Sequence, residues 1–306
     1  AAGLLCLRVK TNTVQEGIYP RKCRDAGYAE IDCGRVGEIE MASRKVIIAL
    51  APVAAGTSID YKALAADIVA SVDEGASMCH LHARNEKGEL TADCTPMMDC
   101  FEAVRAERDV IVQASTGGVS DLSIEDRCNP LRYGIVESCS LNGGSTNLDE
   151  AVYHNSFEEI RYVAKRSYAA NTVPEIEVFD IGMIQAVEEI SKQTPFRTPK
   201  LYNLVFGHKG GMQPSPEALM AFRSFVPDDC MWGVTHYGRT DWDFLAMAIA
   251  AGATDVRIGF EDSASLGNGK TASCNARLVT RLRKLIEAIG YEAATPAEAR
   301  EILGIK

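Results

Sequence analysis

The sequence predicts an α/β protein of the closed (β/α)8 class, a TIM barrel. Three observations point to it. Short β-rich runs alternate with helix-period segments eight times over about 250 residues, the usual length of such a barrel. Unusual polar residues recur at the C-terminal ends of the runs, where a barrel of this class carries its chemistry. No GxGxxG or Walker A pattern follows an early strand, although an open doubly wound sheet usually shows one.

The repeating pattern starts near residue 41. Residues 1–40 hold one strand-like run, from Leu4 to Val9, and then mix Gly, Arg, Asp and Cys without a period. They are expected to form an extension outside the core, or to be translated upstream sequence, because Met41-Ala42-Ser43-Arg44 ahead of an apolar run reads as a natural start. Residues 41–306 are expected to be one catalytic barrel domain. Its strands are read at 46–51, 77–83, 110–115, 135–141, 175–179, 201–206, 231–235 and 255–260. Helices follow near 60–73, 96–107, 123–128, 156–168, 182–193, 215–225, 240–251 and 275–289. The third is weak, with Pro130 soon after it. A last helix at 296–303 opens with a Thr295 cap, Pro296 in the first turn and Glu298 at capping-box distance.

Composition agrees with this class. Hydrophobic residues make up 46% of the 306, enough for one sizeable core or two small ones, and aromatics only 7%, as suits a packed α/β enzyme. The net charge of −10 argues against a nucleic-acid partner, which needs a basic face. No apolar run is long enough to span a bilayer, so no membrane partner is expected. The ten cysteines are scattered without a CxxC pair, and are expected to be reduced thiols of a cytoplasmic protein.

The strand ends carry the functional signal. Strand two ends in His80-Leu81-His82-Ala83-Arg84, strand three in Ser115-Thr116-Gly117-Gly118, and strand four in Ser140-Leu141-Asn142. Strand five carries Glu175 and Glu177, strand six runs into His208-Lys209-Gly210-Gly211, strand seven reaches His236, and strand eight holds Arg257, Glu261 and Asp262. Residues i and i+2 of a strand share a face, so His80 and His82 point together into the barrel mouth and can share a metal ion, zinc by preference. Glu261 is the best candidate for a third ligand, with His236 and Glu177 behind it. Arg257 needs a carboxylate partner if buried, Asp262 or Glu177, or else grips a substrate carboxylate. The Ser115–Gly118 turn offers hydroxyls and backbone N–H groups to an anion. His154 reads as surface, Met97-Met98 as core, and Arg281-Leu282-Arg283-Lys284 as a solvated helix face that could meet a nucleotide phosphate.

These motifs resemble those of the β-keto acid cleavage enzymes. The likeness rests on His80–Arg84, Gln113–Gly118, Pro174–Phe179, Gly210–Met212 and Arg257–Asp262, in the same order, from about Lys45 to the end. The resemblance implies a zinc-dependent barrel, usually a homo-oligomer, in which a β-keto acid reacts with acetyl-CoA to give acetoacetate and a new acyl-CoA. It implies His80, His82 and Glu261 as metal ligands. Ser115, Glu177, Arg257 and Asp262 fall on the catalytic set, with Asp262 as base, Arg257 orienting it and Ser115 assisting acyl transfer. Ser115, Thr116, Gly118, Ser140 and Asn142 fall on or beside substrate contacts. The type member acts on 3-keto-5-aminohexanoate and meets its amino group with a glutamate after strand one; here Ala55 or Gly56 stands there. His208-Lys209 replaces an apolar pair, a cation suited to a second carboxylate or a CoA phosphate. A neutral or anionic β-keto acid is therefore expected. Two other readings compete: a metal-dependent hydrolase or lyase, which would not need acetyl-CoA, and a non-catalytic barrel that binds a small acid without turnover.

Overall fold

Eight parallel strands are hydrogen-bonded in chain order in the computed structural model, which describes residues 43–306. They are β1 (Lys45–Leu50), β2 (Met78–Leu81), β3 (Ile111–Ala114), β4 (Ser138–Asn142), β5 (Val173–Val178), β6 (Leu201–Phe206), β7 (Met231–His236) and β8 (Asp255–Ile258). Strand β8 pairs with β1, from Ile47 opposite Asp255 to Leu50 opposite Ile258, and closes the barrel. The helices are α1 (Tyr61–Asp73), α2 (Thr95–Glu107), α3 (Ile124–Arg127), α4 (Phe157–Ala169), α5 (Ile181–Ser191), α6 (Pro216–Arg223), α7 (Asp243–Ala250), α8 (Asn275–Ile289) and α9 (Pro296–Leu303). The expected extension 1–40, its strand-like run and Met41 lie outside the described residues.

The expected elements are present, with shifts at their ends that have local causes. Strand β8 stops at Ile258 because Gly259 turns away at φ 154°, where a Cβ would lie 1.9 Å from the Ala51 carbonyl oxygen. Strand β4 starts three residues late because Val136 closes a turn on the Tyr133 carbonyl. Strand β2 ends at Leu81, so His82 stands just past it rather than within it. The weak third helix is one turn, continued by the 3₁₀ turn Asn129–Arg132 around Pro130. Two short hairpins escaped the sequence reading, Thr146–Leu148 with Ala151–Tyr153 and Ser265–Gly267 with Lys270–Thr271. Both are too short to show a period.

Strand alternation sorts the side chains into layers. Outward residues such as Val46, Ile48 and Leu50 pack under the helices. Inward residues at the N-terminal end form an apolar floor of Ile47, Met78, Ile111 and Leu201, sealed by Ala299 and Leu303 of α9. Burying each large floor side chain contributes roughly 1.5–3 kcal/mol. Helix α9 begins with the expected capping box, Thr295 with Glu298. Above the floor the interior turns polar: Gln113, Ser138, Glu175, Asn203 and Asp255 are all buried. Gly233 makes room there, since a Cβ would sit 2.8 Å from the Asp255 Cβ and carbonyl oxygen. The next layer up is the mouth. Met97 and Met98 are core as expected, His154 is exposed, and Cys79, Cys94, Cys100, Cys128, Cys139, Cys230 and Cys274 are free thiols. No helix among the described residues is long and apolar enough to cross a membrane.

Candidate metal centre and active site

At the mouth, His80, His82 and Glu261 each present a ligand atom within 4.8 Å of the other two, and they form the one such group found among the described residues. The rings of His80 and His82 meet edge to face with centroids 5.0 Å apart. His82 Nε2 lies 3.5 Å from Glu261 Oε1. Two ligands of a tetrahedral zinc with bonds of 2.0–2.1 Å are about 3.3 Å apart, so this edge already has the right length.

Hydrogen bonds hold both imidazoles with one ring nitrogen free. His80 Nδ1 donates to Gln113 Oε1 at 2.7 Å. Gln113 cannot turn round, because its Nε2 donates to Glu175 Oε2 at 2.6 Å and to Ser138 Oγ at 3.1 Å. Asn203 Nδ2 donates to the other Glu175 oxygen. The His80 proton is thereby held on Nδ1, and Nε2 is left buried without a partner, its lone pair turned to the site. Burial pushes the His80 imidazole down to about 3, so it is neutral at physiological pH. His82 Nδ1 donates to the Gly117 carbonyl at 3.2 Å, which frees its Nε2 in the same way. Beneath this relay Asp255 lies against Glu175, with neither of its oxygens reached by a donor. Burial, then the Glu175 charge, pushes the Asp255 carboxyl well above the usual range.

Arg257 ties the rest together. Its Nη2 and Nε donate to Asp262 Oδ1 and Oδ2 at 2.6 and 3.1 Å. Its Nη1 donates to Glu177 Oε1 at 3.1 Å, and Glu261 Oε1 lies 3.4 Å from Nη2. One guanidinium is shared among three carboxyl groups, in a site whose Arg257 and Asp262 side chains are 6% and 1% exposed. Burial raises Glu177 to about 7 despite Arg257, and burial also raises Asp262. Burial works on Glu261 too, but Arg257 and His82 hold it well below the usual carboxylate range. A divalent cation between the histidines and the ionised Glu261 would be met by a negative donor and two neutral ones, so the donor set, the free lone pairs and the charge all fit a metal.

A cavity of about 770 Å3 opens over this centre. His82, Ser115, Gly118, Glu177, Arg257, Glu261 and Asp262 all line it, so the expected catalytic residues converge on one space. Ser115 Oγ is 3.2 Å from Ser140 Oγ and accepts from the Gly117 N–H at 3.1 Å. Thr116, Ser140 and Asn142 stand behind the wall. Thr116 Oγ1 donates to the Ser140 carbonyl at 2.6 Å, and Asn142 Oδ1 accepts from the Gly144 N–H at 3.2 Å. They shape the two turns from behind. His236 is outside the metal cluster, its ring against Phe244 at 5.1 Å.

One expectation fails. His208-Lys209 does not bring a cation to the cavity. Lys209 turns outward to an exposed ion pair with Glu150, and His208 stacks on Tyr237 with centroids 3.9 Å apart. Burial lowers the His208 imidazole to about 4, which keeps it neutral. Lys87, Arg84 and Tyr153 line the cavity instead. The sequence reading also missed the supporting roles of Gln113, Asn203 and Asp255. Their one signal was inward parity with Ser115, Val205 and Arg257 two residues on.

A family described as beta-keto acid cleavage enzyme matches residues 56–305. The 3-keto-5-aminohexanoate cleavage enzyme of Acetoanaerobium sticklandii is 35% identical over 235 residues, 76% of this chain and 85% of that protein. The 3,5-dioxohexanoate:acetyl-CoA acetone transferase of Paraburkholderia graminis is 28% identical over 90% of this chain and 95% of its own length. Among solved structures, a ternary complex of ObcA with a C4-CoA adduct and oxalate superposes with a TM-score of 0.68 at 17% identity, over 81% of this chain and 67% of that one, a likeness of fold. With the match spanning most of the barrel, this chain belongs to the β-keto acid cleavage enzyme family.

Proposed function

We propose that this protein exchanges acyl groups between a β-keto acid and acetyl-CoA at a zinc centre held by His80, His82 and Glu261. The observation that carries the reading is a carboxylate, Glu261, brought together with two imidazoles whose free nitrogens face the same point, in a site where one guanidinium is shared among three carboxyl groups. Three protein ligands leave a coordination position open, the pattern of a catalytic rather than a structural site. When bound, the metal supplies Lewis-acid polarisation of the keto and carboxylate oxygens.

The chain's own residues supply the rest. Arg257 holds both oxygens of Asp262 and so fixes the direction of its free lone pairs. Burial has made Asp262 a stronger base than an exposed aspartate, and it takes the proton that leaves a carbon nucleophile. Glu177, balanced near 7, accepts or returns a proton beside it. Ser115 orients the acyl group through its hydroxyl. In the balanced reaction, the bond between the keto carbon and the CH2 of the keto acid breaks. The acetyl group joins that CH2 carbon as acetoacetate, and the keto-acid acyl group ends on the CoA sulfur. The names of the relatives support acetyl-CoA as co-substrate.

Ala55 and Gly56 line the cavity where the family's type member is implied to carry a glutamate, and Lys87 stands on the same wall. A neutral or anionic β-keto acid fits better than an amino one. A panel of β-keto acids assayed with acetyl-CoA tests this; turnover confined to the amino substrate would overturn it. A homo-oligomer built on a barrel domain of residues 41–306 belongs to the same proposal, and light scattering of the purified protein checks it.

A further inference from the structure

A second large groove, of about 630 Å3, lies beside the mouth, between α8, Trp242 at the head of α7 and the hairpin at residues 265–271. Arg277, Arg281 and Lys284 occupy one stripe of α8 at spacings of four and three residues, and Lys270 faces them from the hairpin. All four are exposed, and none has a carboxylate within 4.0 Å among the described residues. No acidic residue lines the groove, although the chain carries a net charge of −10. Like charges at these helical spacings repel one another and weaken the helix. A second observation points the same way. Trp242 Nε1 is buried without a hydrogen-bond partner, on a side chain that lines the groove. The guanidinium groups of Arg239 and Arg281 each lie over the ring, at 4.4 and 5.1 Å from its centroid. A polyanion with hydrogen-bond acceptors is the ligand such a lining would take.

The groove is joined to the active site. Trp242 and the hairpin both belong to connections at the C-terminal face of the barrel. Ser263, next to Asp262, donates to the Arg239 carbonyl at 2.6 Å, and Arg239 Nη2 donates to the Ser265 carbonyl at 2.8 Å. Five residue steps separate Asp262 from Gly267 in the groove wall, at most about 18 Å of extended chain. That is within reach of a pantetheine arm whose thioester lies at Asp262.

We propose that this groove binds the 3′-phosphate and diphosphate of the acetyl-CoA co-substrate, so that Arg277, Arg281, Lys284 and Lys270 set the preference for CoA thioesters over shorter ones. The proposal rests on the acetyl-CoA reading of the active site. Its test is the double variant Arg281→Glu with Lys284→Glu, two exposed positions whose fold is checked by thermal melting. Calorimetry uses adenosine 3′,5′-bisphosphate as the probe, and kinetics compares acetyl-CoA with acetyl-pantetheine. The bisphosphate should bind the wild type and weaken at least about tenfold in the variant, with a matching rise in KM for acetyl-CoA. The kcat/KM preference for acetyl-CoA over acetyl-pantetheine should shrink by the same factor. Equal bisphosphate binding by both proteins, or an unchanged preference, overturns the proposal. Tighter binding of ATP than of CoA would assign the groove to a free nucleotide and overturn the CoA assignment. A wild type that binds the bisphosphate but turns over no acetyl-CoA would overturn the reading of the active site and leave the groove as an anion site.

Discussion

Replacing Glu175 by Gln should damage a metal centre that Glu175 does not touch. Glu175 receives one N–H from Gln113 and one from Asn203 on its two oxygens. A glutamine at 175 must turn its own NH2 toward one of those donors. Gln113 then gains by rotating its amide, which puts N–H rather than C=O against His80 Nδ1. The imidazole would answer by moving its proton to Nε2, the atom that faces the metal. Partners of ligating histidines are typically worth 10–100-fold in metal affinity, about 1.4–2.7 kcal/mol, and a reversed tautomer belongs at the upper end. The assay is zinc affinity by competition with a chelating indicator, alongside thermal melting of the metal-free protein to separate affinity from fold. An E175Q protein that melts like the wild type and binds zinc within twofold of it would refute the relay.

Further outcomes follow from the same geometry. Asp262→Asn should lower kcat by roughly 10²–10⁴ while metal content stays at wild-type level; activity within tenfold of wild type would remove Asp262 as the base. Glu177 ordinarily titrates near 4.5, and burial lifts it to about 7 in the folded chain. The folded state therefore binds its proton more tightly, and its contribution to the stability of the metal-free protein is lost as pH rises from about 4.5 to 7. Glu177→Gln should flatten that part of the pH dependence in urea titrations; parallel curves for the two proteins would count against the shift. Gly233→Ala places a methyl 2.8 Å from Asp255 and should destabilise the fold by about 1–3 kcal/mol in chemical denaturation, whereas an unchanged midpoint would mean the barrel relaxes around it.

Much of this was legible along the chain, because the informative distances are short. The parity that turns His80 with His82, Gln113 with Ser115 and Glu175 with Glu177 into one barrel is a property of a single strand. The caps of α9 are likewise local. Glu261 required more, since a lone carboxylate past a strand end is common; the residues left His236 and Glu177 as rivals, and the family likeness separated them. The relay beneath His80 was not legible. It joins residues from β2, β3, β5, β6 and β8, and the stagger between strands decides which inward side chains meet. Lys209 misled because its charge is visible in sequence while its direction belongs to a glycine-rich loop; Glu150, 59 residues away, captures it. The stripe on α8 was visible as a charged helix face, but only the fold puts Trp242 and Lys270 opposite it.

The most direct test of the central claim is product analysis of the purified protein given a β-keto acid with and without acetyl-CoA, zinc-loaded and after chelation. Acetoacetate and a new acyl-CoA should appear in equal amounts, only when acetyl-CoA and metal are both present, and should disappear with His80→Ala or His82→Ala as metal is lost. Breakdown of the keto acid without acetyl-CoA, or full turnover by both histidine variants, would contradict the account.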